Sequence, residues 1–156
     1  MSTSKKIRDI TLAAMAALSL ASCASFEIPE EQLKQPVIDW RDVQDRAVGD
    51  YIKDVSKKMA KLISSGRMEA PYVWGEAREQ GGMAEVEVRL YGGRPVTKLI
   101  RHKGGDVFGR EGLALVDVAA HRAWKDDSLY TQNFSFTMSV TYQYDDKGPM
   151  VLTSVY

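Results

Sequence analysis

The sequence predicts an α+β domain in which a small antiparallel sheet of three to four strands is packed by two helices. Two stretches carry apolar residues at helical spacing, between residues 39 and 66 and between residues 113 and 124. Residues 84–91 and 134–144 alternate apolar and polar side chains, as half-buried strands do. The predicted order is therefore helix, strand, strand, helix, strand, with Met150–Tyr156 as a candidate last strand.

The first helix is predicted from Asp39 onwards. Asp39 or Asp42 is expected to cap its start and Gly66 to end it, while Gly49 marks either a bend or a close contact. Acidic residues on the opposite face do not suit an anionic bilayer, so we expect burial against the sheet rather than a membrane-surface or partner helix. The apolar stripe consists of Val43, Ala47, Val48, Tyr51, Ile52, Val55, Met59, Leu62 and Ile63.

The next two strands are predicted to form a hairpin. Charged side chains alternate with apolar ones over residues 84–91, which gives this strand one buried and one solvated face. Gly92-Gly93 is a tight-turn signal, and residues 96–102 return as the second strand. Pro95 removes one backbone donor, so the start of the second strand is expected at a sheet edge or a bulge.

The second helix and the last strand complete the predicted core. The helical stripe follows Lys103-Gly104-Gly105 and consists of Leu113, Val116, Ala120, Ala123 and Trp124. The last strand has the sharpest alternation in the chain, with Phe134, Phe136, Met138, Val140, Tyr142 and Tyr144 between Ser, Thr and Gln residues. We therefore expect this strand to anchor the core.

The N-terminal segment has the form of a secretory signal. Three basic residues precede an apolar run from Ile10 to Leu20, which is too short to cross a hydrocarbon core of ~30 Å. The run ends at Leu20-Ala21-Ser22-Cys23, which holds the only cysteine of the chain and resembles the lipobox of bacterial lipoproteins. This resemblance implies that signal peptidase removes residues 1–22 and that fatty acyl chains such as palmitate on Cys23 anchor the protein. The alternative is a plain signal peptide in which Cys23 is incidental.

The lipobox divides the chain into a signal peptide (1–22), a lipidated cysteine with its tether (23–38) and one domain (39–156). The signal peptide holds three basic residues and one acidic residue, so the mature chain keeps 134 residues with 18 basic and 20 acidic side chains. A charge near −2 gives no reason to expect nucleic acid as a partner. Ala24 is not the aspartate that retains lipoproteins in the inner membrane of some Gram-negative bacteria. We therefore expect the periplasmic face of the outer membrane, with the inner membrane as the alternative.

Five short motifs follow one another in the middle of the chain: Trp74-Gly-Glu-Ala77 with Gly81-Gly82, Glu85–Leu90, Gly93-Arg94-Pro95-Val96, Lys103-Gly104-Gly105 and Val116-Asp117-Val118-Ala119-Ala120. Their order within residues 51–144 resembles the C-terminal domain of the TonB/TolA family. The resemblance implies an α-β-β-α-β fold of TonB-C form. A TonB energy transducer also has a membrane-spanning helix and a long proline-rich stalk, which this sequence does not show, so the resemblance supports the fold more than that role.

The candidates for catalysis are the two histidines, His102 and His121. His121 follows Asp117 by four residues, so the two side chains are expected on one helix face, as a surface ion pair. A nucleophilic site also needs a positioned hydroxyl or thiol, and Cys23 is used by the anchor. Two histidines without a cysteine cluster match no usual metal pattern. We therefore expect no enzyme, no metal and no cofactor.

The resemblance implies instead that the protein binds another protein by strand addition. In the TonB/TolA family the last strand of the sheet receives an extended peptide, and here that strand would be residues 134–144. Main-chain hydrogen bonds would give affinity, and selectivity would come from the alternate side chains Phe134, Phe136, Met138, Val140, Tyr142 and Tyr144. If Met150–Tyr156 pairs with this strand, its edge is occupied and the recognition site lies elsewhere. The preferred function is an adaptor or accessory subunit of a cell-envelope complex. The alternatives are a structural lipoprotein that self-associates, for example as a homodimer, and a TonB-like energy-transduction component.

Overall fold

A computed structural model describes four parts of the chain: residues 28–66, 77–123, 132–145 and 148–156. The predicted lipobox with Cys23, residues 74–76 of the motif that begins at Trp74, and Trp124 lie outside these ranges. Within them, the side chain of Tyr144 is also outside the described set.

The described residues form two long helices, two short helices, a 3-10 turn and five strands. The class is α+β, as the sequence predicts. In chain order the elements are α1 (Glu30–Leu33), β1 (Val37–Asp39), the 3-10 turn (Trp40–Asp42), α2 (Arg46–Ser64), α3 (Ala77–Gln80), β2 (Gly82–Tyr91), β3 (Arg94–Lys103), α4 (Asp106–Ala123), β4 (Asn133–Asp145) and β5 (Gly148–Val155).

The sheet differs from the predicted one in size and in direction. It has five strands, with β3, β2 and β4 side by side and antiparallel. The other edge of β4 is shared: β1 pairs with residues 133–135 in parallel, and β5 pairs with residues 138–145 antiparallel. The expectation of three to four antiparallel strands was therefore wrong, because β1 is too short to show a periodic pattern and adds a parallel pair.

Part of the predicted tether carries secondary structure of the domain. α1 and β1 lie within or next to residues 23–38; β1 pairs with β4, and the buried side chain of Asn133 on β4 binds α1 and the residues that follow it. Asn133 Nδ2 donates to the backbone oxygens of Gln32 (2.7 Å) and Gln35 (3.3 Å). Its Oδ1 accepts from Gln32 Nε2 and from the backbone N–H of Gly92 at the β2–β3 turn. One amide side chain thus joins three segments that are distant in sequence.

The long helix α2 begins seven residues later than the sequence predicts, at Arg46 rather than Asp39. Asp45 caps it by accepting from the Ala47 N–H, whereas Asp39 caps the preceding 3-10 turn through the Arg41 N–H. Asp42 belongs to that turn, so neither predicted cap was right for α2. A Cβ at Gly49 would meet nothing within 4 Å, which rules out a close contact there. The apolar stripe of α2 is buried, as predicted.

Both long helices pack on one face of the sheet. The inward side chains of β2 and β4 are buried beneath them, which confirms the predicted alternation. The Tyr51 hydroxyl of α2 donates to the Ala120 carbonyl of α4 over 2.8 Å and so fixes the two helices to each other. Pro95 lies in β3, the edge strand, as expected, and the bulge of that strand is farther along, at Ile100. Neither long helix lies on the opposite face of the sheet.

Candidate functional site

The side chains predicted to select a partner lie inside the core. Among the described members of that set, none is more than 2 % exposed: Phe134, Phe136, Met138, Val140 and Tyr142. Tyr51 of α2 makes edge-on ring contacts with the first two, at centroid distances of 6.2 and 6.1 Å. These residues anchor the core, as the sequence also predicts, and a peptide has no access to them in this structure.

Both backbone edges of β4 are occupied. β2 pairs with one edge over residues 134–142, and β5 pairs with the other over residues 138–145. Tyr156 extends this ladder, because its N–H and C=O exchange hydrogen bonds of 2.9 and 3.2 Å with Thr137. The Trp40 indole Nε1 then donates to the Tyr156 carbonyl over 2.9 Å, where β5 meets the end of β1. Residues 150–156 therefore occupy the edge of β4 that the family resemblance assigns to a partner peptide, and an added strand would have to pair with a different strand.

The β3 edge has three features that oppose strand addition. Its start contains Pro95, which lacks an N–H, and a bulge at Ile100 interrupts its register with β2. The face of β3 that points away from the long helices is basic, with Arg94, Lys98, Arg101 and Lys103. Proline, bulges and lysine-rich edges are the devices by which natural sheets prevent edge-to-edge pairing.

Two acidic residues of β2 partly balance this basic strand. Arg101 donates two hydrogen bonds of 2.7 Å to Glu85, and these hydrogen bonds lower the pKa of the Glu85 carboxyl below its ordinary value. Arg89 binds Glu87 within the same strand. The open face of β2 and β3 therefore carries charges of both signs, and two of its arginines, Arg89 and Arg101, are paired with acidic residues of β2.

The β5 edge shares one of these features, because Pro149 is its second residue as Pro95 is in β3, but it differs in the other two. Residues 150–156 carry no charged side chain, and three of them are large, exposed and apolar or aromatic: Met150 (40 %), Leu152 (46 %) and Tyr156 (57 %). The register of β5 with β4 runs from Gly148 to Val155 without a bulge. Among the described residues, no strand pairs with its outer side. A regular, uncharged edge is the kind that accepts another strand.

The direction of the free backbone groups on β5 follows from its pairing with β4. Tyr156 and Thr137 exchange both of their hydrogen bonds, and such pairs recur at every second residue of an antiparallel ladder. Residues 150, 152 and 154 therefore direct their N–H and C=O groups toward β4. Val151, Thr153 and Val155 direct theirs outward. These three residues offer the donors and acceptors that an added strand would use.

The histidine and aspartate pair predicted on the second helix is present. His121 Nδ1 lies 3.5 Å from Asp117 Oδ1 and 2.8 Å from the Asp117 carbonyl oxygen. The Thr97 hydroxyl donates to the same carboxylate over 2.6 Å. The Thr97 hydroxyl thus binds the carboxylate and not the imidazole. In a nucleophilic site the hydroxyl instead binds the base, and the carboxylate orients that base from its other side. His102 Nε2 lies 3.1 Å from Asp106 Oδ1 at the start of α4.

No group of three or more metal-ligating side chains occurs in the part of the chain that the structure describes. A surface cleft of about 390 Å³ lies beside the N-terminus of α2, between Trp40 and Gly49. Its charged lining has both signs, including Asp45, which is used as the cap, and Arg46. The arrangement does not select one class of ligand.

Comparisons with known proteins add no assignment: no protein-family model, no curated protein and no solved structure matches the chain significantly. Over the described residues, no helix combines the length and the apolar character needed to cross a membrane.

The features of the two long edge strands make the outer edge of β5 the candidate functional site. The signal for it in the sequence is the uncharged run from Met150 to Tyr156.

Proposed function

We propose that this chain is a lipid-anchored periplasmic protein-binding module, an adaptor or accessory subunit of a cell-envelope complex, and that it takes up an extended segment of another chain on the outer edge of β5. The observation that supports it is the contrast between β3 and β5, the two long strands whose outer sides pair with no strand of the described residues. Each has a proline as its second residue, but β3 also has a bulge and basic side chains, whereas β5 is regular and residues 150–156 carry no charged side chain.

Strand addition at β5 uses two sets of groups. The outward N–H and C=O groups of Val151, Thr153 and Val155 supply the main-chain hydrogen bonds, which give affinity for any extended segment. Side chains on alternate faces give selectivity. Met150 and Leu152 lie on the open face, and Val151 and Val155 lie on the helix face, where they are partly buried against the core.

The anchor in this proposal is acylated Cys23, and the start of α1 limits its reach. Six residues lie between Cys23 and Glu30, and the seven Cα–Cα steps that join them span at most roughly 25 Å when fully extended. The domain begins earlier than the sequence predicts, so the tether is shorter. We infer that the module works close to the membrane that holds its acyl chains, on the periplasmic face of the outer membrane.

A structural lipoprotein that self-associates is the second candidate. The absence of charge along residues 150–156 favours it, because two copies of this edge would not repel each other. A TonB-like energy-transduction component is the remaining alternative from the family resemblance, and no contact in the described residues favours that role over the other two.

Site-specific photo-crosslinking in intact cells tests the proposed function. A photoreactive residue at Thr153, whose backbone groups point outward, lies within reach of a strand added to β5, and the same residue at Lys98 is the control on the protected edge of β3. We expect a protein adduct from position 153 and none from position 98. Equal labelling at both positions, or none at 153, would refute a binding edge at β5. Incorporation of labelled palmitate, abolished by Cys23→Ser, tests the anchor separately.

A further inference from the structure

The symmetry of the β5 edge identifies the strand that it takes. Resting on the proposed function above, we infer that β5 pairs with β5 of a second copy of this chain, antiparallel and about a two-fold axis at Thr153. The contact joins the two five-stranded sheets into one continuous sheet, with the helices of both copies on the same side. Other subunits of a complex would then meet the faces of this dimer and not its β5 edge.

Charge is the first argument for a second copy. A two-fold contact between identical edges brings each side chain near its own equivalents, so any charge faces like charge. Self-pairing of β3 would bring the basic side chains of the two copies together, and Glu85 offsets only the charge of Arg101, not that of Lys98. Self-pairing of β5 brings no charged side chains together, because residues 150–156 contain none. Of the two long edge strands in the described residues, β5 is the one that meets no like charge on its own copy.

The backbone gives the second argument, because the outward groups of β5 match one another about Thr153. With Thr153 opposite Thr153 of the second copy, Val151 lies opposite Val155, and all these residues direct their N–H and C=O groups outward. Each such pair exchanges two hydrogen bonds in an antiparallel ladder. Pro149, which lacks an N–H, falls outside the paired segment. The register therefore leaves no missing donor within residues 150–156.

The side chains are complementary in the same register. Met150 lies opposite Tyr156 of the second copy and Leu152 lies opposite Ser154, both as non-hydrogen-bonded pairs with Cα atoms ~4.5 Å apart. Thioether and aromatic groups attract each other at this range. Met150, Leu152 and Tyr156 are 40 %, 46 % and 57 % exposed in the single chain, so their contact would remove apolar surface from water.

A charge-exchange experiment tests the proposal on dimers that form in the cell. Two full-length copies with different tags are co-expressed, extracted from the membrane, diluted into excess detergent and purified through one tag. Thr153→Lys in both copies, or Thr153→Glu in both, should reduce recovery of the second tag at least about tenfold, because like charges meet at the axis. Thr153→Lys in one copy with Thr153→Glu in the other should restore it. Lys98→Glu in both copies is the control and should leave recovery unchanged.

Cysteine pairs test the register itself in a Cys23→Ser background. A mixture of Met150→Cys and Tyr156→Cys copies should form disulfide-linked dimers on mild oxidation, and neither variant alone should do so. Cross-linking of Met150→Cys with Ser154→Cys instead would move the axis to Leu152 and overturn the register.

The outcomes separate this inference from the function on which it rests. Recovery that stays at the wild-type level in the Lys–Lys pair overturns self-pairing at β5. If the photo-crosslinker at Thr153 then labels a different protein, the proposed binding edge stands and only the second copy is refuted. If position 153 labels nothing, both the inference and the proposed function fail.

Discussion

Two glycines on the two long helices should respond in opposite directions to the same substitution. Gly112 lies on α4 where it crosses β2, and a Cβ at this position would lie 2.5 Å from the Ala84 Cβ. Methyl carbons in contact are normally about 3.5–4.0 Å apart, so Gly112→Ala requires the helix and the strand to separate by about 1 Å or more. A Cβ at Gly49 on α2 would have no neighbour within 4 Å, so alanine fits there without movement.

The expected magnitudes follow from two opposing effects. Replacing glycine by alanine inside a helix stabilises it by roughly 0.5–1 kcal/mol, because the unfolded chain loses freedom. Overpacking a core by one methyl group costs about 1–3 kcal/mol. Gly49→Ala should therefore raise the free energy of unfolding by roughly 0.5–1 kcal/mol, while Gly112→Ala should lower it by about 1–2 kcal/mol.

Urea and thermal unfolding of the two variants measure this difference. A change of 1 kcal/mol shifts the melting temperature of a domain of this size by roughly 3–5 °C. In the Gly112→Ala background, Ala84→Gly removes the opposing methyl group and should cost less than it does alone, with a coupling free energy of about 1 kcal/mol. Equal effects at Gly49 and Gly112, or no coupling with Ala84, would refute the close approach of α4 to β2.

Three further predictions concern the described contacts. Asn133→Ala should lower the free energy of unfolding by about 1–3 kcal/mol and speed amide hydrogen exchange in α1, because the buried groups bound to its amide lose their partner; unchanged exchange in α1 would contradict this. Asp45→Ala should cost about 1 kcal/mol in urea unfolding, with Asp42→Ala near neutral, because Asp45 caps α2. The pKa of Asp39, lowered to about 2 by hydrogen bonds from Arg41, should rise toward 3.8 in Arg41→Ala when followed by NMR.

The sign of the Asp39 effect on stability is fixed by the direction of its shift. A pKa that is lower in the folded chain means that the ionised carboxylate favours folding. Its contribution is complete above the ordinary pKa of 3.8 and is lost as the pH falls through about 2. Because both Asp39 and Arg41 are exposed, solvent and salt weaken the pair, and the effect on unfolding should be small.

The periodic elements were predictable from the sequence because their patterns reflect one buried face. The alternation from Phe134 to Tyr142 and the helical stripe from Val48 to Leu62 each predict an element and its inward side, and the structure confirms both. The boundaries were less predictable, since several acidic residues precede α2 and only the folded geometry selects Asp45 as the cap. β1 has three residues and no period of its own, so its pairing with β4 could not be read from the chain.

The sequence alone determined the class of fold, the faces of its main elements and the lipobox pattern around Cys23, since these depend on local spacing and residue type. The tertiary structure decided which backbone edges are covered. Edge pairing joins residues distant in the chain, as when β1, β5 and Tyr156 together occupy β4. For that reason the apolar side chains from Phe134 to Tyr142 proved to be core, and the uncharged run of β5 became the candidate binding edge.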